Sequence, residues 1–258
     1  MSSSYYYEKQ SAFSAYSGRP ITYAVQRIII ATVIVFAVQL LVAIPVAGIS
    51  ARALDPEYWL ALNPAILRFG AVWTLITYVF LHGGLMHLFF NMLTLYFFGP
   101  DVERILSTRQ FFRFYFLCGI AGGLCQFGIA LLRNDYAPTI GASGATLGVL
   151  TAYAVAYPKR EMYLFPLPFP LYMWAVAALF FVLSITSDPA NPGTAWAAHA
   201  GGMAFGFAYM KLAPTIRTWF DRPARKAPAA SGPEDHDPLG DAVDNIFKFD
   251  DEKRKKRK

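Results

Sequence analysis

The stretch IIIATVIVFAVQLLVAI, residues 28–44, decides what kind of molecule this is. It carries no charge, and Thr32 and Gln39 are its only polar residues. A helix on the surface of a soluble domain shows a polar face that recurs with the helical period. This stretch has none, so it belongs in lipid or in a large core.

The rest of the chain favours lipid. Cutting the sequence at every Asp, Glu, Lys and Arg leaves six long uncharged stretches: 28–51, 69–100, 114–132, 136–158, 162–187 and 189–210. Crossing a hydrocarbon core takes about 20 mostly apolar residues. Open sheet edges cannot sit in lipid, so helices are the expected solution. The reading is an all-α membrane protein, a compact bundle of six transmembrane helices. Three regions follow: a cytoplasmic arm (1–26), the bundle (27–213) and a flexible cytoplasmic tail with a basic end (214–258). Residues 51–81 form a long outer loop between helices one and two. It is too apolar to float in water, and its Trp and Tyr side chains predict a place at the membrane interface.

Charge predicts the topology. With both termini on one side, the inner side collects 20 of the 23 Lys and Arg, leaving Arg52, Arg68 and Arg133 outside. Short loops obey the positive-inside rule best, so both termini are expected in the cytoplasm. The net charge is +6, and the basic end DEKRKKRK is the densest cluster of positive charge. It matches membrane orientation and anionic lipid rather than nucleic acid as a partner. The polar start MSSSYYYEKQ argues against a cleavable signal peptide. The expected location is a bacterial inner (plasma) membrane, with multiple passes. Cys118 and Cys125 form no metal or disulfide pattern, and no metal or cofactor is expected.

Polar groups at membrane depth usually face a bundle interior or a water pocket. His82, His87 and His199 lie in membrane stretches, whereas His236 lies in the tail. Asn91 follows His87 by four residues, on the same helical face. Ser143 opens the fourth stretch, in GASGATLG, residues 141–148. Helices two, four and six all run inward in this topology. They deliver His82, His87, Asn91, Ser143 and His199 to one level near the outer leaflet. Taken singly, each has a plain structural reading: serine as interhelical glue, histidine as a satisfied core residue, glycine as packing. The glycines also serve the chemical reading. Gly144 and Gly148 follow Ser143, and Gly202 and Gly206 follow His199, so facing small-residue stripes would bring imidazole and hydroxyl together. Serine needs such a base to become a nucleophile, and histidine suits the task near neutral pH. No Asp or Glu lies in stretches two, four or six, which leaves a Ser-His dyad rather than a triad. Asn91, His87 and backbone N–H groups at the start of helix four are candidate oxyanion donors.

Three separated motifs resemble the rhomboid family of intramembrane serine proteases. They are HGGLMHLFFNM with His82, His87 and Asn91, GASG at 141–144 with Ser143, and AHAGGMAFG at 198–206 with His199. The resemblance covers about residues 28–212. It implies cleavage of single-pass or multi-pass membrane proteins near their outer ends. Ser143 would be the nucleophile and His199 the general base. His87, Asn91 and the Ser143 amide would form the oxyanion site, with Gly141 and His82 in support. Helix five and the 188–195 loop would act as gate and cap, with Pro166, Pro168 and Pro170 loosening the inner end of that helix. Two positions depart from the family pattern. Thr74 follows Trp73 where an arginine is common, and Leu147 stands where an aromatic is common. Rival readings are a non-catalytic client-binding relative, a bis-histidine haem protein and a transporter. The first usually lacks the Ser or the His, the glycines crowd out a macrocycle, and no charged relay supports the third.

Overall fold

The computed structural model describes residues 20–42, 56–164, 166–186 and 196–220. The chain divides into two compact units, residues 1–214 and 215–258, and every site residue falls in the first. Most of the expected arm, the first part of the outer loop, the 188–195 cap and the tail beyond 220 lie outside the described residues.

Helix α1 spans Tyr23–Val42. Its first turn needs acceptors for its free N–H groups. A carboxylate from elsewhere supplies one: Glu103 accepts the N–H groups of Ala24 and Val25, both at 3.1 Å. Thr108 Oγ1 donates to the same carboxylate at 2.7 Å. Free N–H groups at a helix start want such an acceptor.

The outer loop is built of short pieces: α2 (Pro56–Leu60), α3 (Pro64–Leu67) and α4 (Thr74–Thr77), which runs into a 3₁₀ turn at Tyr78–Phe80. Asn63 caps α3 by accepting from Ala65 N–H at 2.9 Å, and Pro64 occupies the first helical position, where a missing N–H does no harm. Trp73 Nε1–H donates to Trp59 O at 2.9 Å and Thr77 Oγ1–H to Leu60 O at 2.7 Å. Leu62 and Thr139 exchange two backbone bonds of 2.9 Å. Buried Thr74 closes only its own turn, onto Ala71 O. These contacts tie down the loop that the sequence left without its arginine. Tyr58, Trp59, Phe69, Val72 and Trp73 stay exposed.

Helix α5 (Leu85–Leu106) leaves the α4 segment at 99°. The uncharged run 69–100 is therefore not one helix: only its second part is, and His82 sits in the break rather than on the helix. Ser107, at φ 72°, separates α5 from α6 (Thr108–Arg133), which ends at Asn134 in the left-handed conformation, φ 55°. Helix α7 covers Ser143–Ala156, α8 Met173–Thr186 and α9 Trp196–Phe220. Between α7 and α8 lies a two-stranded antiparallel hairpin, β1 (Glu161–Tyr163) with β2 (Pro170–Tyr172). The all-α expectation missed it. Pro170 opens a strand paired with Tyr163, a position where proline is tolerated.

Among the described residues, α1 and α6 are each long and apolar enough to cross a membrane, and the bent segment Thr74–Phe80 with α5 makes a third when it is counted as one span. At 14 residues, α7 extends only about 21 Å at 1.5 Å per residue. It does not need to reach both faces. Every residue from Gly144 to Ala154 is buried, packed among α5, α6 and α8, so protein and not lipid surrounds it. At the far end of α7 from Ser143, Arg160 donates to Asp101 at 3.0 Å and to the Tyr153 hydroxyl at 2.5 Å. Burial opposes its charge, but those two partners outweigh the effect and raise its pKa above the ordinary arginine value.

Candidate active site

Ser143 is the first residue of α7, and the residue before it, Ala142, offers no side-chain cap. Thr146 N–H is the first to bond back, to Ala142 O at 2.9 Å. The N–H groups of Ser143, Gly144 and Ala145 thus stand ahead of the helical ladder. The turn that delivers Ser143 depends on Gly141. Its φ of +127° disfavours any side chain, and a Cβ there would lie 2.6 Å from His87 Cε1 and 2.8 Å from His87 Nε2. Gly141 N–H is anchored on Tyr78 O at 3.0 Å. The absent side chain makes room for the His87 ring beside the serine turn.

His199 comes from α9, 56 residues later, and its Nε2 lies 2.7 Å from Ser143 Oγ. The glycine stripes account for that closeness. A Cβ on Gly144 would sit 3.0 Å from Ala198 O, and one on Gly148 would sit 2.9 Å from Gly202 O. A Cβ on Gly202 would overlap Gly144 O, and one on Gly206 would overlap Gly148 O. The α7 and α9 backbones touch along two turns, which is the geometry small residues permit inside membranes.

Asn91, one turn after His87 on α5, is buried and doubly held. Its Nδ2–H donates to His87 O at 2.8 Å, and its Oδ1 accepts from Thr146 Oγ1 at 3.0 Å. One amide proton remains for another acceptor. His82 contacts His87 edge to face, with ring centroids 5.0 Å apart. Leu147, one turn below Ser143, is buried and provides no ring.

Ser143, His199, His87, Asn91, Gly141 and the four packing glycines therefore gather around one end of α7, and His82 reaches it through His87. Sequence reasoning missed Thr146, which orients Asn91, and Gln39, whose amide binds the backbone of His82. Thr146 lies one turn after Ser143, so helical periodicity was an available signal. Among the described residues no group of His, Cys, Asp and Glu is arranged to hold a metal ion.

The Ser143 hydroxyl meets the His199 imidazole inside a helical membrane protein. The particular family is shown by comparison: the model of the Rhomboid domain matches residues 70–214, and the chain belongs to the rhomboid family. It is 32% identical over 143 residues to Rhomboid protein 1, mitochondrial, of Saccharomyces cerevisiae, covering 53% of this chain and 40% of that protein. It is 33% identical over 148 residues to Rhomboid protease GluP of Bacillus subtilis, covering 57% and 27%. The Presenilin-associated rhomboid-like protein, mitochondrial, of Bos taurus is 28% identical over 156 residues, covering 55% and 41%. The chain spans less than half the length of these relatives. It is a membrane protein, and its relatives come from mitochondria as well as bacteria.

Proposed function

We propose that this protein is an intramembrane serine endopeptidase that cuts membrane-spanning segments of other proteins near the outer leaflet. The observation that carries the reading is the 2.7 Å contact between Ser143 Oγ and His199 Nε2. At that distance a neutral imidazole with Nε2 unprotonated accepts the serine proton.

Ser143 Oγ attacks the scissile carbonyl, and its proton passes to His199 Nε2. The carbonyl oxygen becomes an oxyanion facing the Ser143 N–H, the His87 ring and the free amide proton of Asn91. Collapse breaks the C–N bond, and His199 returns the proton to the leaving amine. Water then attacks the acyl-serine, with His199 again taking and returning a proton. Fixed donors at the start of a helix in a poorly polarisable surround suit the transient negative charge.

The bundle reads as six crossings, with the short α7 shielded by its neighbours and the catalytic end toward the outside. Both termini then lie in the cytoplasm, the positive-inside arrangement, and a bacterial plasma membrane fits the charge pattern. Helix α8, with the 188–195 segment, is the expected gate and cap. Substrates are single-pass or multi-pass membrane proteins with a small residue before the cut, and the surrounding partner is the bilayer.

The test is cleavage of a reporter transmembrane segment by the full chain reconstituted in liposomes. Wild type should cut it. Ser143→Ala and His199→Ala, folded to the same extent, should not. Retained cleavage in either variant would contradict the reading.

A further inference from the structure

Helix α1 holds two buried polar side chains in an apolar sequence, and they behave differently. Thr32 Oγ1–H donates to Ile28 O at 2.8 Å, within its own turn. Gln39 leaves its helix. Its Oε1 accepts the main-chain N–H of His82 at 3.1 Å, and its Nε2–H reaches the main-chain O of His82 at 3.5 Å and Glu57 Oε1 at 3.4 Å. One side-chain amide thus pairs with both polar groups of a single peptide residue, as a neighbouring strand would.

The residue it pairs with stands where the backbone most needs help. His82 lies in the break between the Tyr78–Phe80 turn and α5, where the chain turns by 99°. Backbone groups there have no helical ladder, and leaving them unpaired in a buried site is costly. The His82 ring is fixed locally, with Nδ1 3.3 Å from Phe80 O, and its edge meets the His87 ring at 5.0 Å. His87 in turn lies against Gly141. A continuous set of contacts therefore runs from Gln39 to the serine turn.

We propose that Gln39 is a positioning residue: by holding both main-chain polar groups of His82 it fixes the bend that sets His87 beside Ser143. The inference rests on the protease reading. Gln39 touches no reacting atom and acts through His82 and His87.

The test uses the full chain in liposomes with a reporter transmembrane segment, well below the melting transition of each variant. Gln39→Met keeps the length and removes both hydrogen bonds. It should lower kcat about tenfold, the scale of one weakened donor contact, with KM within about twofold. Gln39→Glu keeps the acceptor for His82 N–H but sets an oxygen against His82 O and Glu57 Oε1, so it should lower kcat as Gln39→Met does. Thr32→Val, on the same helix, should leave kcat unchanged. If Gln39→Met does not fold, Gln39→Asn takes its place, an amide one methylene too short to reach, with the same expected fall. Wild-type kcat in the Met or Asn variant, or a change confined to KM or to melting temperature, overturns the inference. If wild type itself does not cleave, the protease reading fails and this inference falls with it; if wild type cleaves and kcat ignores residue 39, only the inference falls.

Discussion

Gly202 on α9 lies so close to Gly144 on α7 that a single methyl group on Gly202 would overlap the Gly144 carbonyl oxygen. The obstacle is backbone, which cannot swing aside like a side chain. The contact is also one turn from the place where His199 meets Ser143.

Gly202→Ala should therefore force α7 and α9 apart and lengthen the Ser143–His199 contact. A misplacement of about 1 Å lowers rates about 10²-fold. Cleavage should fall by about that factor, and overpacking should lower stability by about 1–3 kcal/mol. Reporter cleavage and thermal unfolding in detergent measure the two effects. Gly128, where a Cβ meets nothing within 4 Å, is the control, and Gly128→Ala should leave both unchanged.

The Asn91 amide should prove more important than the hydroxyl that orients it. Asn91→Ala deletes one oxyanion donor and should reduce kcat about 10²–10³-fold. Thr146→Val removes only the donor to Asn91 Oδ1, 3.0 Å away, which is worth about 1 kcal/mol. Its kcat should fall about fivefold. Equal losses from the two changes would assign Asn91 a packing role instead.

The carboxylate of Glu103 caps α1 and binds Thr108. Glu103→Ala leaves two buried N–H groups without an acceptor and should destabilise the fold by about 2–4 kcal/mol. Glu103→Gln keeps one acceptor oxygen and should lose about half as much. Thermal denaturation in detergent reads the difference. Neither change should alter kcat of the folded fraction, because the site is at the other end of α5.

The membrane character, the glycine stripes and the His87–Asn91 pair were legible because each is a pattern along one chain segment. Charge-free length marks lipid, and small residues four apart mark a close approach. The 99° break was hidden because Gly83 and Gly84 carry no charge and leave the uncharged run intact. The Glu103 cap was hidden because it joins residues 78 and 79 positions apart, and the value of a buried carboxylate depends on a partner that no local pattern names. The 161–172 hairpin is too short to show alternation, and its prolines read as loop. Gln39 read only as one of two polar residues in an apolar stretch, and Thr146 carries no motif of its own. Their partners are distant in sequence: Asn91 lies on α5, and His82 lies in the break before it.

The central claim is that Ser143 is a nucleophile because His199 takes its proton, and the most direct measurement is labelling of the purified full chain by a fluorophosphonate. Wild type should be labelled at Ser143 alone. His199→Ala should lose that labelling while staying folded, and Ser143→Ala should show none. Labelling of His199→Ala at the wild-type rate, or of Ser143→Ala at any residue to the wild-type extent, would contradict the account.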